Sequence, residues 1–128
     1  MTIRTVLVVD DDDDIRQLAQ MALEVTAGWN VLAANGGPQA IEIARAHHPD
    51  AVLLDMMMPG MDGLTTFDAL QSEASTRDIP VILFTAKLQV GDSQAWDGYA
   101  IQGAIPKPFD PMTLADQVAQ MLSWAPVS

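Results

Sequence analysis

A parallel β-sheet covered by helices on both faces is predicted for this chain, and three observations carry the prediction. Short β-branched apolar runs recur along the 128 residues, segments with helical spacing separate them, and Asp, Gly or Pro punctuates most of the changes. Strands that alternate with helices give an α/β fold, because each crossover helix returns the chain to the same end of the sheet. Right-handed crossovers with helices on both faces make a three-layer sandwich.

The elements follow in order. Val6-Leu7-Val8-Val9 is a continuous β-branched run, the pattern of a strand buried on both faces. Ile15, Leu18, Ala19, Ala22 and Val25 or Thr26 then recur at helical spacing. Asp12 to Asp14 suit the start of this helix and Gly28 its end. Trp29 to Ala34 is a short second strand. Gly36-Gly37-Pro38 opens the next helix, with Pro38 in its first turn, Ala40, Ile41 and Ala44 on its apolar face and Pro49 closing it. Ala51 to Leu54 is a third strand, and Asp55 to Gly63 a loop rich in Met, Gly and Pro. Leu64, Phe67 and Leu70 mark a third helix. Val81 to Phe84 is a fourth strand, after Pro80. Gly91 to about Tyr99 is predicted as a fourth helix, built from weak formers. Ala104-Ile105 is a short fifth strand. Asp110-Pro111 is expected to cap a last helix through Leu114, Val118, Met121 and Leu122.

Composition narrows the function. Hydrophobic residues at 49% against 18% charged argue for a packed globule. No apolar run approaches the roughly 20 residues that span a membrane. Cysteine is absent, which excludes disulfides, thiol chemistry and Cys-ligated zinc. Seventeen acids face six bases, a net charge of −11, which argues against direct nucleic-acid binding. Fourteen of those acids are Asp, a residue of caps, turns and metal sites rather than helix interiors. Residues 1–128 are expected to form one stand-alone domain, with a tail after Trp124 too short for an output domain, in the cytoplasm.

In an open parallel sheet, ligands bind beyond the carboxyl ends of the strands. Those ends carry Asp10 and Asp11 after the first strand, Asp55 after the third, Thr85 after the fourth and Lys107 after the fifth. Each alone has an ordinary reading as a helix cap or an exposed polar residue. Together they bring three carboxylates, a hydroxyl and an ammonium to one edge. Clustered carboxylates raise one another's pKa unless a cation is present, and Mg²⁺ takes oxygen ligands. With the ion bound, Asp55 stays ionised and can act as a nucleophile. Phosphoryl transfer needs charge neutralisation and in-line positioning, which the metal and Lys107 supply, with Thr85 donating a hydrogen bond.

The segments Val8-Val9-Asp10-Asp11-Asp12, Leu54-Asp55-Met56-Met57-Met58-Pro59-Gly60-Met61-Asp62-Gly63, Phe84-Thr85-Ala86-Lys87 and Pro106-Lys107-Pro108-Phe109 stand in an order and spacing that resembles the receiver domain of two-component response regulators. The resemblance covers essentially the whole chain. It implies a doubly wound (βα)5 flavodoxin-like fold with strand order 2-1-3-4-5. It implies Asp55 as phosphoacceptor, Asp10 and Asp11 as the acid pair, Thr85 as switch hydroxyl and Lys107 as the base that senses the phosphoryl group. It implies Mg²⁺ held by Asp11, Asp55 and the backbone carbonyl of Met57, with Asp10 reaching it through water. It also implies a cis Lys107-Pro108 bond. The implied donor is a phosphohistidine on a sensor histidine kinase or a histidine phosphotransfer protein. The implied output is a downstream protein docked on the surface of the fourth helix, fifth strand and last helix. The protein is then a regulatory phosphoacceptor rather than an enzyme acting on other substrates. Ala104 stands where an aromatic is often found, so the conformational response is expected between Ala86 and Gly98 rather than on the fifth strand.

Other readings fit less well. A haloacid-dehalogenase phosphatase needs Thr or Val where Asp14 stands, and a calcium loop needs Gly where Ile15 stands. The Gly-rich nucleotide loop is absent. Five aspartates after the first strand would repel a flavin phosphate. The remaining alternative is a receiver-like interaction module that is not phosphorylated. Asp12, Asp13 and Asp14 are expected as caps, His47-His48 as a helix end, and Met56, Met58 and Met61 as gap-fillers. Trp29, Trp96 and Trp124 are expected to pack or to contact partners.

Overall fold

A computed structural model describes residues 3–85 and 100–125, with Thr85 described by its backbone alone. The elements are β1 (Thr5–Val9), α1 (Asp13–Ala27), β2 (Asn30–Ala34), α2 (Gly37–His47), β3 (Ala51–Asp55), α3 (Gly63–Gln71), β4 (Val81–Thr85), β5 (Gly103–Pro106) and α4 (Leu114–Met121). The predicted fourth helix, Lys87, Trp96 and the expected response between Ala86 and Gly98 lie outside the described residues. All five strands pair in parallel in the order β2-β1-β3-β4-β5. Among the described residues no helix is long and apolar enough to cross a membrane.

Successive side chains of a strand point to opposite faces, so a continuous apolar strand feeds two cores. Val6, Val8, Leu53, Ile82, Phe84 and Ile105 pack on one face against Ala19 and Leu23 of α1 and Leu114 and Val118 of α4. Leu7, Val9, Val52, Leu54, Val81 and Leu83 pack on the other against Ala40 and Ala44 of α2 and Phe67 and Leu70 of α3. This layering accounts for the near-total burial of β1, β3 and β4.

Local signals set the helix ends. The Asp12 carboxylate accepts hydrogen bonds from the N–H groups of Asp14 (2.9 Å) and Ile15 (3.2 Å), and Asp13 and Asp14 occupy the positive end of the helix dipole. Gly28 closes α1 at φ 68°, its N–H donating to Glu24 O. His48 takes the corresponding left-handed position after α2, at φ 48°. Trp29 and Trp124 meet edge to face at 5.3 Å, and Arg4 lies 4.5 Å over the Trp124 ring, so both act in packing.

Two expectations need correction. The buried stripe of α1 is Ala19, Ala22 and Leu23, whereas Leu18 and Val25 are exposed at 42% and 77%. At 3.6 residues per turn those two lie roughly 100° or more round the helix from Ala19. The helix carries more apolar positions than one stripe can bury, so periodicity alone did not select the inward face. Asp110-Pro111 does not cap the last helix. Asp110 instead heads a turn in which its carboxylate accepts from Met112 N (2.9 Å) and its carbonyl from Thr113 N (3.1 Å), and α4 begins at Leu114.

Candidate functional site

The register of the sheet builds the site. Val9 pairs with Leu54, so Asp10 emerges beside Asp55, at the place where the chain leaves β1 for one side of the sheet and β3 for the other. Asp55 pairs with Phe84 and Thr85 with Pro106, which sets Thr85 and Lys107 successively along the same edge.

Asp10 is fully buried and Asp55 is 4% exposed, while Asp11 is exposed. Carboxylate oxygens of Asp10, Asp11 and Asp55 all lie within 4.8 Å of one another. The Lys107 Nζ reaches into this cluster, 2.7 Å from Asp10 Oδ2 and 3.1 Å from Asp55 Oδ1. Asp10 Oδ1 accepts from Asp12 N at 2.9 Å, and Asp55 Oδ1 from Met57 N at 3.3 Å. The Lys107-Pro108 bond is cis, as expected, and Phe109 beyond it stacks on Phe84 with ring centres 5.4 Å apart. The Met57 side chain is exposed, and Met58 is buried in the second core.

Among the described residues the charges of the cluster do not balance, with three carboxylates against one ammonium. Burial, followed by the charge of Asp10, raises the pKa of Asp55 to about 6, against the pull of Lys107 and the Met57 N–H. Burial opposes the charge on Lys107, but the carboxylates of Asp10 and then Asp55 outweigh it and hold its pKa above the ordinary value. Such a cluster fits a hard divalent cation, which takes oxygen ligands and offsets the excess negative charge.

A stability prediction follows from Asp55. The folded protein keeps the Asp55 proton up to about pH 6, whereas the unfolded chain releases it near pH 4. The folded state therefore binds more protons in this window, and Asp55 makes stability fall as pH rises through it. In metal-free buffer the difference in unfolding free energy between the parent and Asp55→Asn should change by about 2–3 kcal/mol between pH 4 and pH 7, in favour of the variant. Parallel stability curves for the two proteins would contradict it.

The loop after β3 returns onto its own start. Gly60 turns at φ 82°, and Gly63 N donates to Met56 O at 2.9 Å. A Cβ on Gly63 would lie 2.5 Å from the Asp55 carbonyl oxygen and 2.8 Å from Met56 Cα, both backbone atoms with little room to yield. Gly63→Ala should therefore cost about 1–3 kcal/mol in denaturant unfolding and shift Asp55 from the cluster. An unchanged midpoint would refute this close-packing role.

The structure thus brings Asp10, Asp11, Asp55 and Lys107 together and ends β4 at Thr85, whose side chain lies outside the described residues. Sequence reasoning missed Arg16. Its guanidinium donates to the Asp10 carbonyl oxygen at 2.8 Å and pairs with the Asp13 carboxylate. The Asp13–Arg16 spacing of three residues signals a helical ion pair, but nothing local signals the contact back to Asp10.

Comparison with known proteins shows the family and the fold. Residues 6–119 match the response regulator receiver domain family. The chain is 42% identical over 105 residues to the probable transcriptional regulatory protein TcrX of Mycobacterium tuberculosis, covering 82% of this chain and 44% of that protein. It is 34% identical over 119 residues to the phosphate regulon transcriptional regulatory protein PhoB of Pseudomonas aeruginosa, covering 93% and 52%. The chain spans about half the length of these curated relatives. The chemotaxis protein CheY4 of Vibrio cholerae has the same fold, with a TM-score of 0.86 at 27% identity over 94% of this chain and 99% of that one. The N-terminal domain of a response regulator receiver protein from Methanoculleus marisnigri superposes with a TM-score of 0.77 at 34% identity, covering 97% of this chain and all of that one.

Proposed function

Because the chain belongs to the family of response regulator receiver domains, we propose that it is the phosphoacceptor of a two-component or phosphorelay system and takes a phosphoryl group onto Asp55. The observation that carries this reading is the Asp55 carboxylate, buried at a strand end beside a second buried carboxylate and bridged to it by Lys107.

An Asp55 oxygen attacks the phosphorus of a phosphohistidine. The O–P bond of an acyl phosphate forms, the P–N bond breaks, and the imidazole leaves with the electron pair and takes up a proton. Asp55 Oδ1 carries the contacts to Lys107 and Met57 N–H, so Oδ2 is the oxygen left to react. Lys107, already charged and held by Asp10, neutralises the arriving phosphoryl oxygens, and the Thr85 hydroxyl donates to one of them. Asp11, Asp55 and the Met57 carbonyl would hold Mg²⁺, with the Asp10 carboxylate beside them adding its charge; the three carboxylates within reach of one another suit that ion. When bound, Mg²⁺ offsets the negative charge that builds on the phosphoryl group and the acid cluster.

The donor is a sensor histidine kinase or a histidine phosphotransfer protein in the cytoplasm. The receiving partner docks on the surface of residues 91–99, β5 and α4. Relatives named as transcriptional regulators are about twice as long, so a receiver of this kind also serves as one half of a longer regulator. The test is incubation with labelled acetyl phosphate. Acid-stable, base-labile label that needs Mg²⁺ and disappears with chelator is expected. A protein that binds Mg²⁺ but takes no label would instead be an interaction module that is not phosphorylated.

A further inference from the structure

Arg16 has no role in the reading above, yet it touches the backbone of the acid pair. Its side chain, 17% exposed, folds back from the first turn of α1 to the end of β1. One arm of the guanidinium donates to the Asp10 carbonyl oxygen at 2.8 Å, and the other pairs with the Asp13 carboxylate, which is 75% exposed. Other bonds already hold the rest of Asp10. Its N–H donates to Ala34 O at 3.1 Å, Oδ1 accepts from Asp12 N, and Oδ2 meets Lys107. The carbonyl is the remaining polar group, and Arg16 is its partner.

That carbonyl belongs to the planar peptide joining Asp10 to Asp11. Fixing its oxygen fixes the direction in which the chain enters Asp11. Among the described residues the Asp11 carboxylate has no hydrogen-bond or ion-pair partner of its own, so its aim toward Asp55 depends on the backbone beneath it. We propose that Arg16 is a positioning residue for the divalent-cation site, its two-armed guanidinium locking the Asp10–Asp11 peptide so that the Asp11 carboxylate faces Asp55. This rests on the reading of the acid cluster as a Mg²⁺ site.

The sign of the effect separates this role from simple electrostatics. A positive charge near a cation site weakens cation binding, so on charge alone Arg16→Gln would tighten Mg²⁺. Loss of positioning weakens it. Arg16→Lys separates charge from shape, because a single ammonium cannot span the carbonyl and the carboxylate as the planar fork does.

The experiment titrates Mg²⁺ into the parent, Arg16→Gln and Arg16→Lys by calorimetry, alongside thermal unfolding with and without the ion. Removing groups that orient metal ligands typically costs about 10- to 100-fold in metal affinity. A rise of about 10-fold in the dissociation constant is expected for both variants, beside a lowered metal-free midpoint in Arg16→Gln, where the Asp10 carbonyl loses its donor. Labelling by acetyl phosphate should drop at low Mg²⁺ and recover as Mg²⁺ is raised, a change in the apparent KM for the ion rather than in the limiting rate. Either variant that folds carries the test alone. Unchanged or tighter Mg²⁺ binding in Arg16→Gln, or parental affinity in Arg16→Lys, overturns the proposal while leaving the phosphoacceptor reading intact. A parent that binds no Mg²⁺ overturns both.

Discussion

Replacing Asp55 by Asn is expected to abolish phosphorylation, lowering the label taken from acetyl phosphate at least about 100-fold, since removing a group that acts in the bond-forming step costs several kcal/mol. The amide keeps the shape of the carboxylate but is a poor nucleophile, so the effect tests chemistry rather than folding. Neither neighbouring acid can take over. Asp10 is fully buried, with one oxygen held by Asp12 N–H and the other by Lys107. Asp11 is exposed and sits outside the Lys107 bridge. Label that persists in Asp55→Asn would move the phosphoacceptor elsewhere.

Adding Mg²⁺ is expected to raise the unfolding free energy of the parent by about 2.7 kcal/mol when the ion stands at 100 times its dissociation constant. The site proposed for the ion is the folded cluster of Asp10, Asp11 and Asp55, whereas the unfolded chain holds those carboxylates apart. Bound there, it would also relieve the repulsion from Asp10 that, after burial, raises the pKa of Asp55. Asp11→Asn should remove most of the Mg²⁺ response. In metal-free buffer it should change stability far less than Asp55→Asn, because Asp11 is exposed and its charge is already solvated. Denaturant unfolding at several Mg²⁺ concentrations measures both effects. A midpoint indifferent to Mg²⁺ in the parent would mean the cluster is balanced by Lys107 alone.

Among the described residues, the sequence by itself determined the order of strands and helices, most element ends and the strand-end positions of Asp10, Asp55 and Lys107. The reason is that these signals act over a few residues. Asp12 caps α1 through N–H groups two and three positions on, Gly28 ends it with its own backbone, and a β-branched run such as Val6 to Val9 prefers an extended chain wherever it lies. Strand-end positions of Asp10, Asp55, Thr85 and Lys107 follow from the same local reading, once parallel strands place all their carboxyl ends together.

Tertiary structure decided what depends on residues far apart in the chain. Pairing of β1 with β3 buries Asp10 and Asp55 side by side, and the raised pKa of Asp55 arises from that burial. The inward face of α1 was chosen by the sheet and α4, which left Leu18 and Val25 outside. The Asp10-to-Arg16 contact and the approach of Gly63 to the Asp55 carbonyl depend on how loops fold back onto strand ends. Burial and pairing are properties of assembled neighbours, and their energies exist only after the sheet has brought those neighbours together.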